Sequence, residues 1–380
     1  MAPFSFIPLS AGIMRGPFYL VLWVLALLTG CHVTESLLLA GLPDAPSNAL
    51  LVVDGQGPEA RFGSIDTLEI DSQGNLYVLD KGPERNQGNI SVLTSAAIRK
   101  ITPEGKVTTL IGRGTGQTLI GNMKMIIRED ILYISSAGCL LKADLKQEPP
   151  SFQAFYGTCL SEKELQRLKE QVQTTGTPIS VATTFEGAYI RDIMPEKTIY
   201  FSLSPINSKG PGPYFKLLPD ETVVLDPNRR YFPAEGLFGN FVMDSRGMIY
   251  GTTLAMPGPG GAGPTRLYQT SYPDISAGVP NVFHQTLYVN QLKSPGALAI
   301  DNRDYLYVLD QDGLFKRFSP QGEMVVIGNV RGLQGPKDGL IAAQKVNHQR
   351  TWLYFATLTA VYKIPLPPPL PPQGENHETK

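Results

Sequence analysis

The chain has 380 residues, 42% of them hydrophobic, with 33 Lys and Arg against 34 Asp and Glu for a net charge of −1. That balance removes the electrostatic case for nucleic-acid binding. A chain of this length and apolar content buries a full core.

The first 31 residues read as a targeting segment. Arg15 precedes an apolar run, Phe18-Tyr-Leu-Val-Leu-Trp-Val-Leu-Ala-Leu-Leu28, which has the length of a signal-peptide core. It is shorter than the roughly 20 apolar residues that a spanning helix needs. The run stops at Leu28-Thr29-Gly30-Cys31, which resembles the lipobox of bacterial lipoproteins. The resemblance implies cleavage before Cys31, a diacylglycerol on its thiol, and acylation of the new amine with palmitate-type chains. Several acyl chains on one residue give a stable anchor where a single chain does not. The expected division is a signal peptide at 1–30, then the lipidated Cys31 and a tether to residue 48. A propeller follows at 49–366, with a Pro-rich disordered tail at 367–380. The implied location is the bacterial cell envelope, lipid-anchored and facing periplasm or exterior, on the outer membrane where the host has one.

A spare apolar run, Ala49-Leu-Leu-Val-Val-Asp54, precedes a set of repeats. A Leu-Tyr or Ile-Tyr pair recurs at Tyr77, Tyr133, Tyr200, Tyr250, Tyr307 and Tyr354, at intervals of 56, 67, 50, 57 and 47 residues. Periods of this size without helical spacing mark propellers or solenoids, whose units bury their apolar faces only by stacking. The first copy reads Leu68-Glu-Ile-Asp71, Asn75-Leu-Tyr-Val-Leu-Asp80, Ile98-Arg-Lys-Ile-Thr-Pro-Glu-Gly105 and Val107-Thr-Thr-Leu-Ile111. The fifth reads Ala297-Leu-Ala-Ile-Asp301, Tyr305-Leu-Tyr-Val-Leu-Asp310, Phe315-Lys-Arg-Phe-Ser-Pro-Gln-Gly322 and Met324-Val-Val-Ile327. Each holds four short apolar runs separated by turn residues such as Asp71-Ser-Gln-Gly74 and Pro103-Glu-Gly105. The pattern predicts an all-β, six-bladed β-propeller of four-stranded blades.

These runs resemble the NHL repeat, most clearly over 64–112 and 294–328. Within the propeller that this implies, Cys139 opens the third strand of the second blade and Cys159 follows its fourth. The two ends then share a side, and an oxidising compartment permits a Cys139–Cys159 disulfide. Ser161 and Glu164 form a capping box ahead of Leu165, Leu168 and Val172 on one stripe, which predicts one short helical insertion. Long connections at Lys81–Ala96, Ser204–Pro213 and Leu254–Pro264 gather on one face, the face where propellers bind. The last unit lacks a fourth run, and Pro365-Leu-Pro-Pro-Pro-Leu-Pro-Pro372 cannot pair in a sheet. The expectation is that Ala49–Asp54 completes the last blade and hides its edge.

Catalytic signatures are sparse. His32, His284, His348 and His377 lack ligand-like spacing. Gly112-Arg-Gly-Thr-Gly116 follows a strand but has no Lys-Ser/Thr, so it reads as a turn rather than a phosphate loop. Glu235-Gly236 before a strand is similar to calcium-dependent lactonases of the gluconolactonase and paraoxonase type. That resemblance implies a channel metal, for which Ser64, Asp66, Asn122, Glu186, Glu235 and Asn240 are the candidate oxygen donors. The preferred expectation is a non-enzymatic module without a cofactor. It binds a protein or small-ligand partner at the loop-rich face and the membrane through Cys31. The alternative is a calcium-dependent lactonase or gluconolactonase-like hydrolase.

Overall fold

The computed structural model describes residues 34–43, 52–81, 95–112, 115, 119–120, 123–136, 139–157, 159, 163, 167, 170, 187–193, 198–204, 214–226, 238–253, 257–258, 261–262, 266–271, 285–286, 291–293, 295–310, 312–330 and 343–367. The fold is an all-β propeller with almost no helix. In the first sheet, Ile65–Ile70, Leu76–Asp80, Ser95–Ile101 and Lys106–Gly112 pair in sequence order. The second sheet holds Met125–Arg128, Ile131–Ser136, Cys139–Asp144 and Gln153–Gly157, and the third runs from Gly187–Ile193 to Val223–Asp226. A fourth sheet starts at Phe238–Met243 and a fifth at Pro295–Ile300. Innermost strands contact one another around the centre: Ile65–Ile70 touches Met125–Arg128 on one side and Ala343–Val346 on the other.

The closing sheet contains Ala343–Val346, Trp352–Ala356, Ala360–Pro365 and an N-terminal strand. That strand is Leu37–Gly41, pairing antiparallel with Ala360–Pro365 (Leu37 opposite Lys363, Gly41 opposite Ala360). The closing strand therefore lies upstream of the expected Ala49–Asp54, inside the stretch assigned to a tether. Residues 49–51 lie outside the described residues. Val53 instead bridges Arg61, and Gly55–Gln56 pairs with the outer strand of the first sheet. The physical reason is Arg99, which is fully buried and holds this segment to the first sheet. Its guanidinium donates to the Val53 carbonyl at 2.6 Å, the Asp54 carboxylate at 2.9 Å and the Arg61 carbonyl. A Val-Val pair in an apolar run signals a strand, but not which edge it meets.

The second strand of each clear repeat is buried on both faces, which explains its continuous apolar run. Leu76 and Val78 pack toward the closing sheet, with Tyr354, Ala356 and Val361. Tyr77 and Leu79 pack toward the second sheet, with Leu132, Ile134 and Leu141. Tyr133 likewise meets Ile199, Phe201 and Leu217 of the third sheet, and Tyr307 meets Leu353, Phe355 and Tyr362 of the closing sheet. The repeated tyrosine is thus a wedge between neighbouring sheets.

A buried hydroxyl needs a partner. The Tyr77 hydroxyl donates to Asp71 at 3.0 Å, Tyr307 to Asp301 at 3.0 Å and Tyr250 to Asp244 at 3.3 Å. The other oxygen of each Asp closes the hairpin turn. Asp71 accepts from the Gln73 and Asn75 N–H groups, Asp244 from Arg246 and Met248, and Asp301 from Arg303 and Tyr305. Burial, then the adjacent Asp charge, pushes the Tyr77 and Tyr307 phenols far above their ordinary range.

Turns of adjacent sheets also clasp one another. The Ser72 N–H and hydroxyl donate to Asp130 at 2.8 and 2.7 Å, and Ser245 repeats both bonds to Asp304 at the same distances. Asp130 and Asp304 hold φ values of 62°, a region costly for residues with a side chain. Of the expected helical insertion, Lys163, Arg167 and Glu170 are helical and exposed; the capping box and the apolar stripe lie outside the described residues.

Two outcomes follow from these bonds. Tyr77→Phe and Tyr307→Phe should each lower unfolding free energy by about 1 kcal/mol in urea denaturation, since each removes one hydrogen bond from a buried carboxylate oxygen that keeps a second donor, Asn75 Nδ2 on Asp71 and Arg350 Nε on Asp301. Unchanged midpoints would show that the hydroxyl is dispensable. On the acid side, burial raises the Asp54 and Asp130 pKa values. Hydrogen bonds from Thr109 and Arg99, and from Ser72 and Lys146, outweigh that and leave both lowered. The stability they add is complete above the ordinary carboxylate pKa and is lost as pH falls through their lowered folded values. Asp54→Asn and Asp130→Asn should therefore flatten the acid limb of the stability curve.

Candidate functional site

The innermost strands enter the ring at the loop-rich face, and two buried carboxylates fix how they enter. Asp80 ends the second strand of the first sheet and accepts from the Gly63 and Ser64 N–H groups at 3.0 and 2.9 Å. Asp310 occupies the same place in the fifth sheet and accepts from the Lys293 N–H at 2.8 Å. Each faces a cation from the third strand: Arg99 lies 3.5 Å from Asp80, and Lys316 lies 2.6 Å from Asp310. Hydrogen bonds from Lys316 to Asp310 and Asp312 outweigh its burial and leave its pKa raised.

β-Bulges follow on several innermost strands. Register shifts fall between Ile65 and Thr67, between Phe238 and Asn240, and between Pro295 and Leu298. Such bulges bend a strand and re-aim its side chains. The first leaves Asp66 exposed. Its carboxylate pairs with Lys81 at 3.0 Å and accepts from the Thr67 hydroxyl at 3.2 Å. Deeper on the same strand, Glu69 pairs with Lys345 of the closing sheet at 3.1 Å.

The channel is also crossed. The Lys124 ammonium, just before the innermost strand of the second sheet, lies 5.7 Å from the centre of the Phe241 ring. Phe241 is on the innermost strand of the fourth sheet, so the pair spans the centre past the third. Lys124 is fixed by its backbone, whose N–H donates to Ser135 Oγ at 2.8 Å while its carbonyl accepts from the Ser135 N–H at 2.9 Å. The ring quadrupole attracts the ammonium, which ties two non-adjacent sheets together across the centre.

The structure treats the sequence candidates unevenly. Asp66 and Ser64 stand at the mouth of the channel, with Ser64 engaged through its backbone to Asp80. Asn240 sits on its expected strand, opposite Thr252; its side chain lies outside the described residues, as do Asn122, Glu186, Glu235 and Cys31. Among the described residues, no group of three His, Cys, Asp or Glu side chains is placed to hold a metal. The Gly112–Gly116 stretch is a turn where described, with the Thr115 N–H donating to the Gly112 carbonyl at 3.0 Å. The Lys124–Phe241 pair was not legible in sequence, because it joins residues from non-adjacent repeats.

Cys139 and Cys159 form a disulfide with Cα atoms 4.8 Å apart. Cys139 opens the third strand of the second sheet, facing Gly157 in the ladder, so the bond ties the returning chain to that sheet.

No family model matches the chain, and no curated protein matches it. Among solved structures, a protein of unknown function from Bacteroides thetaiotaomicron is similar over 88% of this chain and 76% of its own, at 11% identity and a TM-score of 0.51. An α-L-arabinofuranosidase from Fusarium graminearum aligns over 87% of this chain and 98% of its own, at 8% identity and a TM-score of 0.50. A gluconolactonase from Xanthomonas campestris is more distant, with a TM-score of 0.42 at 11% identity over 88% of this chain and 98% of its own. At these identities the likeness shows the propeller fold alone.

Reducing the Cys139–Cys159 bond should cost on the order of 3 kcal/mol in the chain-entropy account of a loop of this length. Paired denaturation curves with and without a phosphine reductant test it. Free thiols at Cys139 and Cys159 in the unreduced native protein would rule the bond out.

Proposed function

We propose that the protein is an envelope lipoprotein, anchored through Cys31, whose NHL-like propeller of six blades binds a protein or small-molecule partner at its loop-rich face. The observation that carries the binding reading is the character of the channel mouth. Its described carboxylates are engaged by internal cations, Asp66 by Lys81, Asp80 by Arg99 and Asp310 by Lys316. The group set across the channel is a cation on an aromatic ring, Lys124 on Phe241. Calcium takes six to eight oxygens, several from carboxylates. Ion pairs that spend those carboxylates internally favour recognition over metal-assisted hydrolysis. Long connections at Lys81–Ala96, Ser204–Pro213 and Leu254–Pro264 would supply the specific contacts, as loops on a rigid scaffold usually do.

The anchor rests on the lipobox-like Leu28–Cys31 at the end of the apolar run. Its sorting to an outer membrane is the expectation for a host that has one.

Two measurements test this reading. Cys31→Ser should abolish the acyl mass and release the protein from the membrane fraction; a variant processed and retained as before would sink the anchor. Calcium added to the purified soluble chain should leave its thermal midpoint unchanged. A calcium-dependent rise that disappears in Glu186→Ala, Glu235→Ala or Asn240→Ala would move the assignment to the lactonase-like hydrolase.

A further inference from the structure

The chain reaches the propeller at its rim. The first described strand, Thr34–Glu35, pairs in parallel with the outer strand of the fifth sheet, Thr34 opposite Gly328 and Glu35 opposite Asn329. The chain then crosses to the closing sheet as Leu37–Gly41. Cys31 precedes Thr34 by three residues, a span of about 10 Å at full extension. Whatever Cys31 is attached to lies that close to the junction of the fifth and closing sheets.

The same junction is apolar on the outside. Leu37 is 50% exposed, Leu38 39% and Val326 39%. Val326 lies two residues before Gly328 on the same strand, and Leu37 and Leu38 follow Thr34–Glu35 after Ser36. Leu37 and Leu38 pair in unbroken register with Lys363 and Tyr362, so they lie on opposite faces of the strand, and both are exposed because that strand is the outer edge of its sheet. Glu35 is exposed beside them, which keeps the contact shallow.

We propose that the rim, through the exposed side chains of Leu37, Leu38 and Val326, docks on the lipid surface that carries the Cys31 anchor, so that the propeller stands on its edge. The inference rests on the lipid-anchor reading. So small a patch would not hold a free protein on a bilayer, but a tether of this length keeps its local concentration high. Edge-on docking lays the channel axis along the membrane plane and opens the loop-rich face sideways, toward partners in the same compartment or on the same membrane.

The test uses the mature chain beginning at Cys31, whose other two cysteines are joined. Its single thiol is coupled to maleimide-bearing lipid in phosphatidylcholine vesicles, or to soluble maleimide-polyethylene glycol as the control. Hydrogen exchange is then followed by mass spectrometry. Vesicle coupling should slow amides at 35–38 and 324–327 several-fold and leave the similarly exposed Val223, Val224 and Leu225 on the third sheet unchanged. Leu37→Ser with Leu38→Ser and Val326→Ser should remove the protection while coupling persists. Absent protection, protection at 223–225 instead, or equal protection in a self-associated glycol-coupled sample would each overturn the docking. Mass measurement of the exported native chain separates the two claims. Missing acyl mass overturns the anchor and the docking falls with it, whereas an acylated chain with an unprotected rim overturns the docking alone.

Discussion

A tyrosine hydroxyl buried between two sheets sets most of what this sequence must contain. The ring fills the space between neighbouring sheets and the hydroxyl has no water to turn to. Asp71, Asp244 and Asp301 meet it from six residues upstream. Those carboxylates are themselves buried, so they need N–H donors, and the hairpin turn supplies them. Turn, second strand and inter-sheet packing therefore form one unit that cannot be altered piecemeal. The second sheet shows the constraint by departing from it. Its turn, Glu129-Asp130, is too short to hold an equivalent Asp, and both residues take positive φ. Arg128 answers the Tyr133 hydroxyl at 2.8 Å instead and lies 5.0 Å from the Tyr133 ring. Burial still leaves that phenol raised, even with the cation beside it.

The two faces of the ring divide the remaining work. On the turn face, short hairpins bond directly from sheet to sheet, through Ser72 to Asp130, Ser245 to Asp304, and Arg350 to Asp301 at 2.7 Å. Those bonds rely on residues in strained turn positions, which persist because the packing around them fixes the backbone. On the loop face, Asp80 and Asp310 hold the strand entries from inside. Such a face tolerates loops of any length while the channel mouth keeps its shape. Binding specificity could change there without touching the wedge that holds the sheets together.

Sequence alone reached the propeller because the wedge is local: Asp71 and Tyr77 lie six residues apart, and the turn between them is written in Asp, Ser and Gly. It reached the Cys139–Cys159 bond for a related reason, since both cysteines flank strands of one sheet. It misplaced the closing strand. Leu37–Gly41 and Ala49–Asp54 are both short apolar runs, and pattern does not distinguish a fourth strand from a segment pinned along an edge. The difference lies in Arg99, whose buried charge needs the Val53 and Arg61 carbonyls and the Asp54 carboxylate at once. The channel contacts were harder still. Lys124 and Phe241 belong to repeats that are not neighbours in sequence, and the bulge that exposes Asp66 leaves no mark in composition. Glu69 and Lys345, at opposite ends of the chain, meet only because the ring closes.

That closure is where a propeller is weakest, since one joint lacks a covalent connection between neighbouring sheets. Here residues 34–43 and 52–61 act as a belt across it. Thr34–Glu35 covers the outer edge of the fifth sheet, Leu37–Gly41 supplies the outer strand of the closing sheet, and Gly55–Gln56 covers the outer edge of the first. Gly105 makes the last crossing close. It holds a φ of 89°, and a Cβ there would lie 2.4 Å from the Leu39 carbonyl oxygen. The repeat's Pro-x-Gly turn thus has a second use at this joint, because only glycine lets the turn of the first sheet approach the closing strand. Arg99 buckles the belt from within, stacked 4.6 Å from the Phe62 ring centre. Its guanidinium is fully withdrawn from water, so its partners on the belt must be present together; losing one leaves a buried charge undercompensated. Closure, edge protection and the placement of the N-terminus are therefore one device. Because that device begins at the rim, the described N-terminal strand meets the ring beside the joint that the device closes.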